Sequence, residues 1–290
     1  MKTNHKINPL ILAVAVLVLL ANSLAHADNI YVSCFNSGTI EKFNSSGNRS
    51  TFASGLNGPT GLACDSSGNI YATSTANNTI EKYDSSGNQS TFASGLSATP
   101  QGLAFDNSGN LYLYAGSYSS GTITKFNSSG NGTIFVSSVN RPQGLTFDSS
   151  GHLYAASYTS GAITKFDSSG NGSFFASGGY SIVGLACDRS DNIYVANYYD
   201  GTIAKFNSSG NGAIFASGLY NPCGLAFDSS GYLYAANQGN GTITRYDSSG
   251  NMSLFASGLD SPTFIATQVP EPATLALLGI GGLMLRKRRT

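Results

Sequence analysis

Six copies of one short phrase predict an all-β protein, a six-bladed β-propeller built from four-stranded antiparallel blades. Each copy carries a tyrosine after Ile or Leu, and these tyrosines lie about 40 residues apart, at positions 31, 71, 112, 154, 194 and 234. A fixed period of this length is typical of repeat architectures. One repeat, 222–258, shows four short apolar or aromatic runs separated by Asp-Ser-Ser-Gly turns. Such runs and turns predict four strands in a meander.

The two ends of the repeat array predict how the ring closes. The first phrase, at 29–32, begins on a second strand with no first strand before it. The segment 261–267 aligns with that missing first strand. We therefore expect the C-terminal strand to complete the N-terminal blade, which leaves only short, protected sheet edges. First strands around positions 61, 102, 144, 184, 224 and 263 then make six blades.

Two tails flank the propeller, which we place at 28–268. Residues 1–27 begin with lysines, continue into an apolar stretch and end on Ala-His-Ala, a pattern that predicts a secretory signal removed by signal peptidase. Residues 269–290 contain a mostly apolar stretch at 273–285 followed by a basic cluster. A helix of that length reaches about 20 Å, which is short of a bilayer core of about 30 Å. We expect only transient membrane contact through this segment.

The C-terminal tail opens with Val269, Pro270, Glu271 and Pro272, ahead of the apolar stretch and the basic cluster. In these three parts it resembles the PEP-CTERM sorting signal of Gram-negative bacteria. The resemblance implies recognition by an exosortase and cleavage near the Pro-Glu-Pro motif. It also implies delivery to the outer surface or extracellular matrix, in the company of exopolysaccharide.

The propeller body repeats Pro-x-Gly-Leu-Ala-Phe-Asp, Gly-Asn-Leu-Tyr and Gly-Thr-Ile-Thr-Lys-Phe with small variations. In these phrases it resembles NHL-repeat propellers. The resemblance implies a six-bladed fold, which is shared by gluconolactonase-type hydrolases, streptogramin lyase-like proteins and pure binding modules. A shared fold does not choose among these functions.

Charge narrows the choice of partner. Between positions 28 and 268 the chain has nine Lys or Arg against fourteen Asp or Glu, a net charge of about −5. Because no basic patch is available to hold a phosphate backbone, nucleic acid is not expected as a partner.

The two faces of the predicted propeller differ in how strictly they repeat. The turns between strands one and two, and between three and four, fall on one face and are nearly identical, as in Asp-Ser-Ser-Gly-Asn at 65–69. Such turns suit a structural role better than calcium binding, because they lack a run of acidic ligands. We call this the turn face. Its strand-three basic residues are expected to reach the turn carboxylates: Lys42, Lys82, Lys125, Lys165, Lys205 and Arg245.

The opposite face carries the loops that differ from blade to blade, and we call it the variable face. Its loops are rich in Tyr, Asn, Gln, Ser and Thr and nearly free of charge. Tyrosine rings offer apolar faces to sugars, while amides and hydroxyls match sugar hydroxyls. An alternative is that these loops vary freely and tyrosine only fills surface gaps. The candidate ligand-binding residues are Gln101, Gln143, Tyr118, Tyr158, Asn197, Tyr198, Tyr199 and Asn237.

No catalytic group, metal site or cofactor is predicted. His152 is the single histidine left after signal removal, and it replaces a turn asparagine. Glu41 and Glu81 are expected to be edge charges of strand three. Lone carboxylates without a partner make poor acid–base pairs. The sequence therefore favours a non-catalytic binding or scaffold module for carbohydrate or a surface protein. The alternatives are an extracellular hydrolase or lyase of the gluconolactonase-like or streptogramin lyase-like type, and a self-associating matrix component.

The chain has four cysteines, and an exported protein can oxidise them. Cys64 and Cys187 replace the Phe of the first-strand phrase in distant blades and are expected to be small buried residues. Cys34 and Cys223 lie on the variable face of blades that become neighbours on closure. A Cys34–Cys223 disulfide is therefore predicted.

Overall fold

The computed structural model describes residues 28–96, 99–106 and 113–268. In these residues the chain forms twenty-four short strands. The first twelve are β1 (Asn29–Cys34), β2 (Thr39–Phe43), β3 (Arg49–Ala53), β4 (Pro59–Cys64), β5 (Ile70–Ser74), β6 (Thr79–Tyr83), β7 (Gln89–Ala93), β8 (Pro100–Phe105), β9 (Leu113–Ser117), β10 (Thr122–Phe126), β11 (Gly132–Val136) and β12 (Pro142–Phe147). The others are β13 (Leu153–Ser157), β14 (Ala162–Phe166), β15 (Gly172–Ser177), β16 (Ile182–Cys187), β17 (Ile193–Asn197), β18 (Thr202–Phe206), β19 (Gly212–Ser217), β20 (Pro222–Phe227), β21 (Leu233–Asn237), β22 (Thr242–Tyr246), β23 (Met252–Ala256) and β24 (Pro262–Gln268).

The strands form six four-stranded antiparallel sheets, which confirms the six-bladed propeller. Blade 1 has the order β24-β1-β2-β3, and blades 2 to 6 follow in chain order as β4–β7, β8–β11, β12–β15, β16–β19 and β20–β23. In blade 1, Tyr31 of β1 pairs with Ala266 of β24, so the C-terminal strand closes the ring as predicted. The predicted signal peptide at 1–27 and the predicted tail at 269–290 lie outside the described residues. Within the described residues, no helix is long and apolar enough to cross a membrane.

A glycine in each first strand but one allows neighbouring blades to meet around the central channel. A Cβ atom on Gly61 would lie 1.8 Å from the carbonyl oxygen of Gln101 in the next blade, and one on Gly102 would lie 1.8 Å from that of Gln143. Only glycine permits this close approach of two backbones. In blade 1 the same position is held by Phe264, which lines a cavity on the variable face.

The core lies between the blades and is built from the repeated tyrosines and phenylalanines. The ring of Tyr71 packs edge-on against Phe92 at 5.0 Å and against Phe105 at 5.1 Å between centroids. Tyr194 makes the same pair of contacts with Phe215 and Phe227. Such pairs contribute about 0.5–1.5 kcal/mol beyond their buried area, so the repeated tyrosine is a structural element of each blade interface.

The turn face is held together by a network around each turn carboxylate. Asp148 accepts hydrogen bonds from the backbone N–H of His152 (2.8 Å) and from the hydroxyl of Tyr154 (3.1 Å). The Lys165 ammonium lies 3.2 Å from Asp148 Oδ2 and 5.1 Å from the centroid of the Tyr154 ring. Lys205 reaches Asp188 in the same way, at 3.7 Å. For these two lysines the structure confirms that strand-three basic residues reach the turn carboxylates.

The glutamates of strand three differ from the prediction. Glu41 and Glu81 are buried, with 2% and 7% of their surface exposed, and are not edge charges. Glu41 pairs with Arg49 at 2.9 Å, and Glu81 accepts hydrogen bonds from threonine hydroxyls. Burial alone raises the pKa of Glu41, but the hydrogen bonds from Arg49 and the neighbouring threonines bring it below its usual value. The prediction failed because side chains of the fourth strand of each blade donate hydrogen bonds to these carboxylates.

The predicted Cys34–Cys223 disulfide is wrong in this structure, where all four cysteines are free thiols. Cys34 points into the apolar cluster between blades 1 and 6. Cys223 Sγ faces the channel mouth, 3.8 Å from the side-chain oxygen of Gln238. The blades are neighbours, but the two thiols point into different compartments. Cys64 and Cys187 are only partly buried and line the turn-face end of the channel.

Candidate functional site

The channel opens into a cavity at each end. The turn-face cavity, about 470 Å³, is lined mainly by first-strand residues that repeat from blade to blade, such as Leu62, Leu103 and Leu145. Of the two carboxylates in its lining, Asp65 and Asp106, Asp65 accepts hydrogen bonds from the backbone and side chain of Asn69 at 2.8 and 2.7 Å. Among the described residues, no three His, Cys, Asp or Glu side chains come together as a metal site.

The variable-face cavity is smaller, about 250 Å³, but equivalent positions of its wall carry different residue types in several blades. Its deeper layer consists of the residues that precede the first-strand glycine or its equivalent: Thr60, Gln101, Gln143, Val183, Cys223 and Thr263. Its outer layer consists of residues just after strand two: Phe35, Tyr118, Tyr158, Tyr198 and Gln238, with Thr75 at the corresponding position of blade 2. We call these six outer-layer positions the mouth residues. Lining of this variety makes this cavity the candidate site.

A repeated backbone hydrogen bond fixes each mouth residue. The N–H groups of Tyr158, Tyr198 and Gln238 donate to the carbonyl oxygens of Arg141, Ser181 and Asn221 at 3.1 to 3.2 Å. Each acceptor residue has a left-handed conformation, with φ between 49° and 59°. In blade 2 the acceptor is Gly58, which adopts this conformation without strain. For a residue with a Cβ it costs about 1–2 kcal/mol.

The side chains of the strained residues explain why glycine is not used there. Arg141 Nη1 donates to the hydroxyl of Tyr118 at 3.1 Å, and its guanidinium lies 4.9 Å from the centre of that ring. Asn221 Nδ2 donates to the backbone oxygen of Tyr198 at 3.2 Å. Backbone strain that is retained around one cavity is typical of sites where side-chain placement matters. These residues brace the mouth.

Tyrosines form a connected arc along one half of the mouth. The rings of Tyr118 and Tyr158 lie 5.9 Å apart, and the Tyr158 hydroxyl donates to that of Tyr199 at 3.4 Å. Tyr199 packs edge-on against Tyr198 at 5.0 Å. The Tyr198 hydroxyl then donates to the side-chain oxygen of Gln238 at 2.8 Å. The arc therefore presents both ring faces and hydroxyl groups.

The cavity is electrically neutral near pH 7. None of its described lining residues is Asp, Glu, His, Lys or Arg. Burial, reinforced by the hydrogen bond to Tyr199, raises the pKa of Tyr158 to about 12. Burial also raises the pKa of the Cys223 thiol to about 12. A ligand in this cavity meets uncharged hydrogen-bonding groups and aromatic rings.

The structure brings together most of the residues that were predicted for this site. Gln101, Gln143, Tyr118, Tyr158 and Tyr198 line the cavity, and Tyr199 lies beside it with 66% of its surface exposed.

Asn197 and Asn237 are placed elsewhere, because each is the last residue of a second strand and is only 2% exposed. Their amide nitrogens donate to Thr202 and Thr242, respectively, inside the blade. Alternation along a strand turns their neighbours Tyr198 and Gln238, and not the asparagines, toward the mouth.

The candidate ligand-binding residues did not include Phe35 and Gln238, which line the cavity, or two exposed tyrosines, Tyr180 and Tyr220, on the links between blades. The signal for the first pair was the 40-residue register, which carries Tyr158 onto Tyr198 and then onto Gln238. The signal for the second pair was their equal spacing, since both lie two residues before a first strand.

Comparison with known proteins identifies the C-terminal tail. Residues 268–289 match the PEP-CTERM protein-sorting motif. The motif confirms the predicted tail and implies export, membrane-anchored sorting in a Gram-negative bacterium, and processing by an exosortase-type system. No curated protein matches the sequence significantly.

Solved structures resemble the propeller body. A chain of the nidogen/laminin complex superposes with a TM-score of 0.75 at 17% identity, covering 84% of this chain and 99% of that one. Virginiamycin B lyase from Staphylococcus aureus gives 0.63 at 15% identity, covering 83% and 88%. A protein of unknown function from Bacteroides caccae gives 0.66 at 14% identity, covering 83% and 99%. At these identities the likeness establishes the fold alone.

Proposed function

We propose that this exported propeller is a non-catalytic binding module whose variable-face cavity binds a neutral carbohydrate. The observation that carries the proposal is the cavity wall, in which Tyr118, Tyr158 and Tyr198 stand beside glutamine and threonine side chains and none of the described lining residues is charged. Tyrosine rings pack against sugar C–H groups while amides and hydroxyls exchange hydrogen bonds with sugar hydroxyls. A few fixed polar groups in a largely preformed cleft are what small-ligand sites use for orientation.

The sorting motif supports this choice of ligand. A protein carried to the outer surface or extracellular matrix by its C-terminal signal meets exopolysaccharide there, and we propose that location after cleavage of the tail. A surface protein is the competing partner. The nidogen/laminin complex offers an example of a similar fold within a protein–protein complex.

Catalysis is the second candidate, because virginiamycin B lyase shares the fold. A lyase or hydrolase needs a group that can accept or donate a proton near neutral pH. The cavity lining described above contains hydroxyls, amides and one thiol, and burial raises the pKa values of Tyr158 and Cys223 to about 12. His152 is occupied on the opposite face, where its Nδ1 lies 2.9 Å from Asp148 Oδ2. These observations favour binding over chemistry.

The test is a binding assay of the purified propeller, residues 28–268, whose ring is closed by its own last strand. The panel contains neutral and acidic polysaccharides together with the matrix polysaccharide of the producing bacterium. We expect saturable binding to a neutral polysaccharide, weakened at least tenfold by Tyr158→Ala and by Tyr198→Ala, which corresponds to about 1.4 kcal/mol.

The control is Tyr232→Ala, which removes a 37% exposed tyrosine that follows a turn of the opposite face. Binding that is equally reduced by the control would contradict the proposed location. Failure of every polysaccharide to bind would reject the carbohydrate proposal and favour a surface protein. Turnover of a bound compound would instead support the enzyme alternative.

A further inference from the structure

Three tyrosines outside the cavity are unusually exposed. Each of them lies on a loop of the variable face in blade 5 or blade 6. The exposed fractions are 68% for Tyr180, 66% for Tyr199 and 62% for Tyr220. Single exposed apolar residues are ordinary, but several large aromatic side chains grouped beside a cavity mark an interaction site.

These tyrosines are attached to the residues that build the mouth. Tyr199 contacts both Tyr158 and Tyr198. Tyr180 immediately precedes Ser181, whose carbonyl accepts the N–H of Tyr198 at 3.1 Å. Tyr220 immediately precedes Asn221, and its own carbonyl accepts the N–H of Gly239 at 3.1 Å, next to Gln238. The three tyrosines therefore flank the aromatic half of the mouth.

Among the described residues at this link position, tyrosine occurs only in blades 5 and 6. The link position held by Tyr180 and Tyr220 is Asn57 in blade 2, Asn140 in blade 4 and Asp260 in blade 1. Asn57 donates its side-chain amide to Asn77, and Asn36 donates to Asp260, so polar side chains bond one another on that side. The difference between the sides arises at equivalent positions of one repeat, so the fold does not require it.

The cavity is also small. Its volume of about 250 Å³ lies below the range of roughly 300–1,000 Å³ that is usual for drug-sized ligands. Only a short part of a carbohydrate chain fits inside, and the rest of a longer chain must continue over the surrounding surface. The exposed tyrosines provide that surface in blades 5 and 6.

We infer that the site takes an extended neutral polysaccharide, with one end or branch in the cavity and the following sugars stacked on Tyr199, Tyr180 and Tyr220. This inference rests on the proposed carbohydrate-binding function and adds a length and a direction to it. Each ring offers a face to one sugar at little loss of side-chain freedom. Affinity should therefore increase with chain length until the row of tyrosines is filled.

The experiment uses the matrix polysaccharide of the producing bacterium, partially hydrolysed and separated by size into fractions from monosaccharide to decasaccharide. The dissociation constant of each fraction is measured for the purified propeller. We expect at least a tenfold gain in affinity between disaccharide and hexasaccharide. The double variant Tyr180→Ala/Tyr220→Ala should lose that gain while binding the disaccharide within twofold of the parent.

The matched control is Asn57→Ala/Asn140→Ala, which changes the same link position in two other blades and should leave all fractions unaffected. Equal affinity for all fractions, with binding weakened in Tyr158→Ala and in Tyr198→Ala, would overturn the extended site and leave the proposed function standing. An equal loss in the asparagine control would also overturn the extended site. Absence of binding by every fraction would overturn both.

Discussion

The two faces of this propeller use the same residue type for opposite purposes. On the turn face, Tyr154 is 1% exposed, its hydroxyl donates to Asp148, and its ring lies under the Lys165 ammonium. On the variable face, Tyr199 is 66% exposed, accepts a hydrogen bond from the Tyr158 hydroxyl and packs against the Tyr198 ring. The first arrangement recurs in blade 2, where Tyr71 donates to Asp65 and lies under the Lys82 ammonium, while the exposed tyrosines described above lie on one side of the mouth. Repetition thus identifies tyrosines that hold the fold, and its interruption identifies those available to a ligand.

Backbone conformation separates the two faces in the same way. The turn face places glycine at positive φ, as in Gly68, Gly151 and Gly231, with Asp191 as its exception. The variable face also uses glycine, as in Gly58 and Gly201, but in two of its links it places Arg141 and Asn221 at positive φ, and their side chains hydrogen-bond mouth residues. Strain is avoided where the chain only turns and is accepted where a side chain is needed.

The largest expected effect comes from replacing one tyrosine on each face with alanine. Tyr154→Ala removes a buried ring and its hydrogen bond, and should lower the free energy of unfolding by about 3–5 kcal/mol. Tyr199→Ala should change it by no more than about 0.5 kcal/mol. Denaturant titration of both variants measures the difference. Similar losses in the two variants would abolish the distinction between structural and exposed tyrosines.

Acid should separate the faces as well. Burial raises the pKa of Asp148, but hydrogen bonds from His152 and Lys165 outweigh it and bring the pKa below the usual value. Hydrogen bonds likewise outweigh burial at Glu41 and Asp188, so the pKa values of both carboxyl groups lie below their usual values. A lowered folded pKa gives stability that is present above the unfolded value of about 4 and is lost as pH falls through the folded value.

We therefore expect the free energy of unfolding to decrease as the pH is lowered below about 4. The Asp148→Asn variant should show a smaller decrease. Polysaccharide binding should stay constant between about pH 5 and pH 9, because Tyr158 and Cys223 in the cavity titrate only at about 12. Denaturation and binding measured across the same pH series provide the test. A binding midpoint inside that interval would reveal a titrating group at the mouth.

A smaller effect is expected from the strained link residue Arg141. Arg141→Gly relieves about 1–2 kcal/mol of strain and loses about 0.4–1 kcal/mol through added flexibility of the unfolded chain. Arg141→Ala keeps both the strain and the stiffer unfolded chain, so it should be less stable than Arg141→Gly by several tenths of a kcal/mol to about 1 kcal/mol. Both variants remove the hydrogen bond to Tyr118 and should weaken ligand binding by a similar factor. An Arg141→Ala variant that is more stable than Arg141→Gly would show that the conformation is not strained.

The smallest effect concerns the thiols. All four cysteines should react with a thiol reagent after unfolding without reductant, since none is paired. In the folded protein, burial raises the pKa of Cys34 to about 11 and that of Cys223 to about 12, so both should react slowly. Detection of only two reactive thiols would contradict this expectation and support the disulfide that was predicted from the sequence.

Much of this fold could be predicted from the sequence because each blade repeats the same pattern of strands and turns. The 40-residue spacing indicated six blades, and the orphan segment at 261–267 indicated that β24 would complete blade 1, as observed. The sorting tail was recognisable from its three parts, and the family comparison confirms it.

The errors arose where orientation within a strand decides the outcome. Asn197 and Tyr198 are adjacent in sequence, yet one faces the blade interior and the other faces the cavity. Cys34 and Cys223 lie in adjacent blades but point into different compartments. Glu41 was expected at an edge, but the fourth strand and Arg49 cover it. The composition of a loop does not show which of two adjacent side chains faces the cavity. The position of each residue in the register of its strand does, because successive side chains point to opposite faces.

The most direct test of the central claim is to locate the ligand by hydrogen–deuterium exchange. The purified propeller is compared with and without the size-fractionated matrix polysaccharide. We predict slower exchange in the strand-two exits and links of the variable face, at 117–121, 157–161, 178–182 and 197–201, and unchanged exchange in the turns at 65–69 and 148–152. Protection confined to the turns, around the larger cavity, would contradict the assignment of binding to the variable face.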